Sequence, residues 1–212
     1  MSIPELVLEV HATLEGLGAE HAFGGALALA YYAEPRATVD VDVNVFVPFV
    51  AAAEVVEAFH RRGLAAEGDP AGWLPTAGVR LTRPGELGKV DLFFSLDDSY
   101  ERIAARVRKF PFGRDGGPQL PFLSAEDLAV FKLSFGRDKD WIDLKAMVQT
   151  VPDIDLSYIE QLLIGLRGPS MFSRLARFRA LVDSESPGLG DVVQGCRAST
   201  DHEPGIPDQT YE

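Results

Sequence analysis

With 212 residues, of which 46% are hydrophobic and 25% charged, the chain suffices for one sizeable core, or one core with a helical appendage. Its longest uncharged apolar run, Ala22–Ala33, falls short of the ~20 residues that a membrane-spanning helix requires, and its single cysteine, Cys196, excludes an internal disulfide. The net charge is −12; residues 183–212 carry −6 of it, with seven acids against Arg197, and the rest carries −6. Such an acidic average argues against a broad nucleic-acid face, so DNA is not expected as a partner. Met1–Val10 has Glu5 and Glu9 and no basic start, so no secretory leader and no membrane association are expected, and the expected compartment is the cytoplasm.

Apolar residues at Ile3, Leu6, Val7, Val10, Leu14 and Leu17 predict a helix over Ile3–Leu17, stopped at Gly18. His21–Phe23 reads as a short strand leading into Gly24-Gly25, and Ala26–Ala33 as a buried helix ended by Pro35. Thr38–Val47 is a strand, Phe49–Arg62 an amphipathic helix closed by Gly63, and Leu64–Glu67 and Ala77–Leu81 are strands, the second joined to a strand at Lys89–Phe94. Asp98–Val107 reads as a helix and Arg108–Leu123 as an irregular or hairpin segment. Ser124 and Asp127 form a helix-start signature, and helices follow at Asp127–Phe135, Lys139–Gln149, Leu156–Leu166 and Pro169–Val182. The fold class is α/β (α+β): a mixed sheet flanked by helices with a C-terminal helical bundle. Residues 1–122 form the α/β core, 123–182 the bundle, and 183–212 an aperiodic acidic tail expected to be mobile.

The chemistry concentrates near two glycines and a strand. Val39, Val41, Val43 and Val45 alternate with Asp40, Asp42 and Asn44, so the two carboxylates share one face and the valines the other. Like charges that close repel unless a cation separates them, which invites a divalent metal. Gly24-Gly25 opening a helix is suited to present backbone N–H groups to a phosphate, although a simple tight turn is the commoner use of such a pair. In Lys89–Phe94 the parity places Asp91 opposite Val90, Leu92 and Phe94, so it is able to face a cleft with Asp40 and Asp42. Metal and phosphate together point to nucleotide chemistry; the plainer reading of the three acids is solvent-facing strand residues.

In these motifs the chain resembles the polymerase-β-type nucleotidyltransferase superfamily, and most closely its AbiEii-like toxin branch. The resemblance rests on Gly24-Gly25, Arg36-x-Thr38-x-Asp40-x-Asp42, Asp91 within Lys89-Val90-Asp91-Leu92-Phe93, and a block running from Leu128 through Lys132 to Arg137, Asp140 and Asp143. It implies Asp40, Asp42 and Asp91 as catalytic residues holding one or two Mg²⁺ ions, with NTP as substrate. It also implies that Gly24, Gly25, Arg36, Thr38, Lys132, Arg137, Asp140 and Asp143 bind the nucleotide. Ala26 departs from the Ser or Thr that many relatives carry after the glycines, which removes a hydroxyl contact to phosphate.

Other residues have plainer readings beside these. Arg36 either clamps a phosphate or neutralises the acids. The alternative for Lys132 is a stem along the bundle with its head in water, and for Asp140 and Asp143 a surface ion-pair set with Lys139. His11, His21, His60 and His202 are scattered without metal-ligand spacing, which argues against zinc. Trp73 and Trp141 read as packing residues. Arg102, Arg106, Arg108, Lys109 and Arg114 gather bases that either touch an RNA acceptor or form a solvated face.

The resemblance implies transfer of NMP from NTP to an RNA end such as tRNA, or to a protein, in a toxin–antitoxin or phage-defence setting with an antitoxin partner. The alternatives are a small-molecule nucleotidyltransferase acting on an aminoglycoside-like antibiotic and a catalytically degenerate nucleotide- or partner-binding module. A basic cleft rim favours RNA; an acidic one favours a cationic small molecule.

Overall fold

The computed structural model describes residues 1–68, 78–113 and 116–185. Trp73, Ala77, Arg114 and the tail from residue 186 onward therefore lie outside the described residues. The chain runs α1 (Ile3–Gly16), β1 (His21–Phe23), α2 (Gly25–Leu29), β2 (Asp40–Pro48), a 3₁₀ turn (Phe49–Ala51), α3 (Ala52–His60), β3 (Ala65–Ala66), β4 (Gly78–Thr82) and β5 (Lys89–Ser95). It continues with α4 (Ser99–Ala104), β6 (Arg108–Pro111), β7 (Gln119–Phe122), α5 (Ala125–Phe135), α6 (Asp138–Thr150), α7 (Leu156–Arg167), a second 3₁₀ turn (Pro169–Met171) and α8 (Phe172–Glu185).

The fold is α+β. Among the described residues seven strands form one mixed sheet in the order β3-β4-β5-β2-β1-β7-β6, and helices flank it. β2 pairs with β5 in parallel and β1 with β7 in parallel, while β1–β2, β4–β5, β3–β4 and β6–β7 are antiparallel. Strand alternation sets the two faces of the sheet. Val41, Val43, Val45, Val90, Leu92 and Phe94 are fully buried on one side, where α1 and α3 pack. At roughly 1.5–3 kcal/mol for each buried large aliphatic or aromatic side chain, this face dominates the stability of the central strands. The other side carries Asp40, Asp42 and Asp91 and is covered by the helices after residue 123. The apolar cluster is continuous from Leu6 through Val43 to Phe178.

Ser2 and Glu5 close a reciprocal capping box on α1, and Ser124 accepts from the Asp127 N–H at the start of α5. The segment Arg108–Phe122 is a hairpin. α2 stops at Leu29, four residues before the expected end at Ala33, because tertiary anchors override the helical propensity of this alanine-rich run. Tyr31 stacks on Phe110 at a centroid distance of 4.6 Å, and the Tyr32 hydroxyl donates to the Leu123 carbonyl at 2.8 Å.

Candidate active site

A cavity of about 370 Å³ lies between the aspartate face of the sheet and α5–α6. Asp42 and Asp91 are direct register partners across the parallel β2–β5 pair, with Asp40 one pleat away on the same face. All three line the cavity, together with Gly25, Arg36, Thr38, Lys132, Arg137 and Asp140 among the residues singled out from sequence. Gly24 and Asp143 stand just behind its wall.

The electrostatics of Asp42 are the clearest signature. Burial, then the charges of Asp91 and Asp40, push its carboxyl from 3.8 up to about 6. No hydrogen bond reaches that carboxylate among the described residues. A buried, unpaired carboxylate beside two others is a site that a divalent cation would relieve, so the donor set fits a hard cation. In this conformation the three carboxylates do not converge to one point, however. Asp91 is held away by Arg80, its direct cross-strand partner on β4, through a two-pronged ion pair at 2.7 and 2.6 Å. Arg80 was not among the residues singled out from sequence; finding it requires the register of β4 on β5.

The glycines make close contacts with Asp42. The Gly24 N–H is already committed to the Asp42 carbonyl at 2.9 Å, so it is not open to a phosphate. Gly25 has φ +54°, and a Cβ there would sit 1.8 Å from Asp42 Oδ2. Its missing side chain makes room first for the catalytic candidate Asp42. The amides at the start of the short α2 remain the part of the turn with open donors. Thr38 uses its hydroxyl to brace the entry to β2, accepting from the Asp40 N–H at 3.1 Å.

The bases on the opposite wall are positioned from beneath. Asp143 is 3% exposed and Lys132 is 4% exposed. Asp143 accepts from Lys132 Nζ at 2.6 Å and from both prongs of Arg36 at 3.1 and 3.0 Å. Burial raises the Asp143 carboxyl, but the hydrogen bonds from Arg36 and Lys132 prevail and leave it below its ordinary value. Asp140, 2% exposed, accepts from the Arg137 N–H at 3.0 Å and from its guanidinium at 2.8 Å, capping α6. Gly136 ends α5 in the left-handed region at φ +64°, where a Cβ would lie 2.7 Å from Arg174 Cζ; that tight turn sets Arg137 at the cavity edge. These contacts correct three plainer readings: Asp140 and Asp143 are buried rather than a surface ion-pair set, Asp143 pairs with Arg36 and Lys132 instead of Lys139, and the Lys132 head is not in water.

Asn44 was also missed from sequence. It lines the cavity at 3% exposure, with its Oδ1 buried and unpartnered. Two members of the basic cluster are engaged within the body: Arg106 lies over the Tyr158 ring at 4.1 Å and pairs with Glu126 at 2.7 Å, and Arg102 sits over the same ring at 5.5 Å, while Arg108 and Lys109 are exposed. Trp141 packs under Arg177 at 3.8 Å. The expectation that the histidines are scattered does not hold for two of them. His11, Glu15 and His21 bring one ligand atom each within 4.8 Å of the others, the one such set of three among the described residues.

No family model and no curated protein matches the sequence. Among solved structures, the lincosamide antibiotic adenylyltransferase LnuA, with lincomycin bound, is 14% identical with a TM-score of 0.51, covering 69% of this chain and 96% of that one. The antibiotic-resistance factor ANT(2″)-Ia is 14% identical with a TM-score of 0.49, covering 85% and 93%. An antigenic nucleotidyltransferase-like protein from Paracoccidioides brasiliensis is 16% identical with a TM-score of 0.48, covering 82% and 91%. At 14% identity the likeness to the lincosamide adenylyltransferase shows a shared fold and nothing more.

Proposed function

We propose that the cleft transfers a nucleoside monophosphate from an NTP to an acceptor and releases pyrophosphate. The observation that carries this reading is Asp42: an unpaired carboxylate pushed up to about 6, in register with Asp91 and one pleat from Asp40, on a nucleotidyltransferase fold. Asp40 and Asp42 would hold Mg²⁺, with Asp91 joining them once Arg80 yields it. When bound, the metal supplies charge neutralisation for the triphosphate and the leaving pyrophosphate. Arg36, Lys132 and Arg137, fixed by Asp143 and Asp140, supply positive charge for the phosphates. The acceptor oxygen attacks the α-phosphorus, the bond to the bridging oxygen breaks, and the hydroxyl proton passes to a cleft carboxylate. Residues 1–122 serve as the catalytic core and 123–182 close the cleft; the acidic stretch expected from residue 183 begins inside α8, which runs to Glu185.

Among the described residues the cavity is lined by six bases (Arg36, Arg80, Lys132, Arg137, Lys139, Arg167) and four acids, with Asp143 a fifth acid bonded to Arg36 and Lys132. That balance supports anionic ligands, and so an RNA end ahead of a cationic small molecule, as in the AbiEii-like, toxin–antitoxin setting that the motifs resemble. A second reading, a small-molecule acceptor, is favoured by one observation: the lincosamide adenylyltransferase shares the fold. The test offers each α-labelled NTP with Mg²⁺ to total tRNA, cell protein, lincosamides and aminoglycosides. Label on RNA supports the first reading and label on an antibiotic the second; label on none of them contradicts the proposed transfer.

A further inference from the structure

A second cluster lies on the sheet face opposite the aspartates. His21 opens β1 in register with Val45, so its side chain falls on the face that α1 covers, whereas Ala22 pairs with Asn44 on the cleft side. His11 and Glu15 are one helical turn apart on α1 and share a face. The three residues border a cavity of about 380 Å³ that Glu20 and Lys109 also line.

Hydrogen bonding fixes the chemistry of the buried ring. His21 Nδ1 contacts the Ala19 carbonyl at 2.9 Å. A carbonyl only accepts, so Nδ1 carries the proton and the neutral ring keeps its lone pair on Nε2. That nitrogen lies 2.9 Å from His11 Nδ1. Two imidazole nitrogens on one tetrahedral ion stand about 3.3 Å apart, so a small rotation of the half-buried His11 ring opens the pair to ligand spacing. A carbonyl-anchored Nδ1–H is the outer-shell contact that ligating histidines use to hold tautomer and orientation.

We propose that His11, Glu15 and His21 form a second metal site, of the zinc type, that fastens α1 to the first strand. Two imidazoles and one carboxylate select a borderline transition ion such as Zn²⁺ or Co²⁺ over Mg²⁺. The fourth position is left to water. This site is independent of the transfer chemistry proposed for the cleft.

The test is a titration of chelator-treated, full-length protein with Co²⁺, followed by visible absorption, and with Zn²⁺ by calorimetry, both in excess Mg²⁺ to occupy the cleft carboxylates. One equivalent should bind with tetrahedral Co²⁺ bands and raise the melting temperature. His11→Ala should weaken binding at least ~100-fold, since even outer-shell changes cost 10–100-fold. Glu15→Gln should weaken it less. Asp42→Asn and Cys196→Ser should both retain it. His11 and Glu15 are not fully buried, so these variants remain informative where His21→Ala fails to fold. Absence of stoichiometric binding, undiminished binding by His11→Ala, or loss in Asp42→Asn or Cys196→Ser would each overturn the site.

Discussion

Replacing Asp42 by Asn should stabilise the metal-free protein at neutral pH while abolishing its activity. In the native state burial and the neighbouring Asp91 and Asp40 hold the carboxyl at about 6 against an ordinary 3.8. Between those values the folded chain binds more protons than the unfolded one, so stability falls as pH rises from about 4 to about 6. Full ionisation therefore costs on the order of 3 kcal/mol at pH 7.5, from roughly two units at 1.36 kcal/mol each. At pH 4.5, where the native carboxyl is still protonated and the unfolded one is mostly ionised, the cost shrinks to about 1 kcal/mol. Asn keeps the shape without the charge. Urea unfolding with chelator should thus show a gain of about 2–3 kcal/mol for Asp42→Asn at pH 7.5 and a much smaller one at pH 4.5. Added Mg²⁺ should stabilise the wild type and not the variant. A loss of stability at pH 7.5, or a gain independent of pH, would refute the argument that Asp42 is an unrelieved buried charge.

Asp143→Ala strips the partner from Lys132 at a site where both are 4% exposed or less, and should cost roughly 3–5 kcal/mol by urea unfolding. It should also weaken NTP binding in a salt-sensitive way, because Arg36 loses its anchor. Arg80→Ala should change stability little, since Arg80 is 41% exposed, but should lower the Mg²⁺ concentration needed for half-maximal binding several-fold by releasing Asp91; an unchanged Mg²⁺ titration would show that the pair does not restrain the acid. Gly25→Ala should lose at least 1–2 kcal/mol from the left-handed backbone alone, and its Cβ should displace Asp42, so activity should fall far more than stability in parallel assays.

The parts of the site that follow from local alternation were legible in the sequence. Parity within β2 and β5 set Asp40, Asp42 and Asp91 on one face, because the strand period depends on nothing distant. Cross-strand register was not legible, so the Arg80–Asp91 pair was missed. Asp143 pairs with Arg36 across 107 positions of sequence, and such a contact exists only once α6 is packed against the cleft. The same limit explains His11 and His21, which no ligand-spacing pattern joins because one lies on a helix and the other on a strand beyond the turn. The early end of α2 belongs here too: Tyr31 and Tyr32 find their partners on a hairpin some eighty to ninety residues away.

The central claim is transfer chemistry at the aspartate face. Its most direct measurement follows both ends of one doubly labelled NTP, α-labelled and γ-labelled, with Mg²⁺ and the acceptor panel, for wild type and Asp42→Asn. The account predicts α-label on an acceptor matched mole for mole by γ-label in pyrophosphate, with both lost in Asp42→Asn. α-Label that never leaves the nucleotide pool, γ-label released as single phosphate, or undiminished transfer by the Asp42 variant would contradict it.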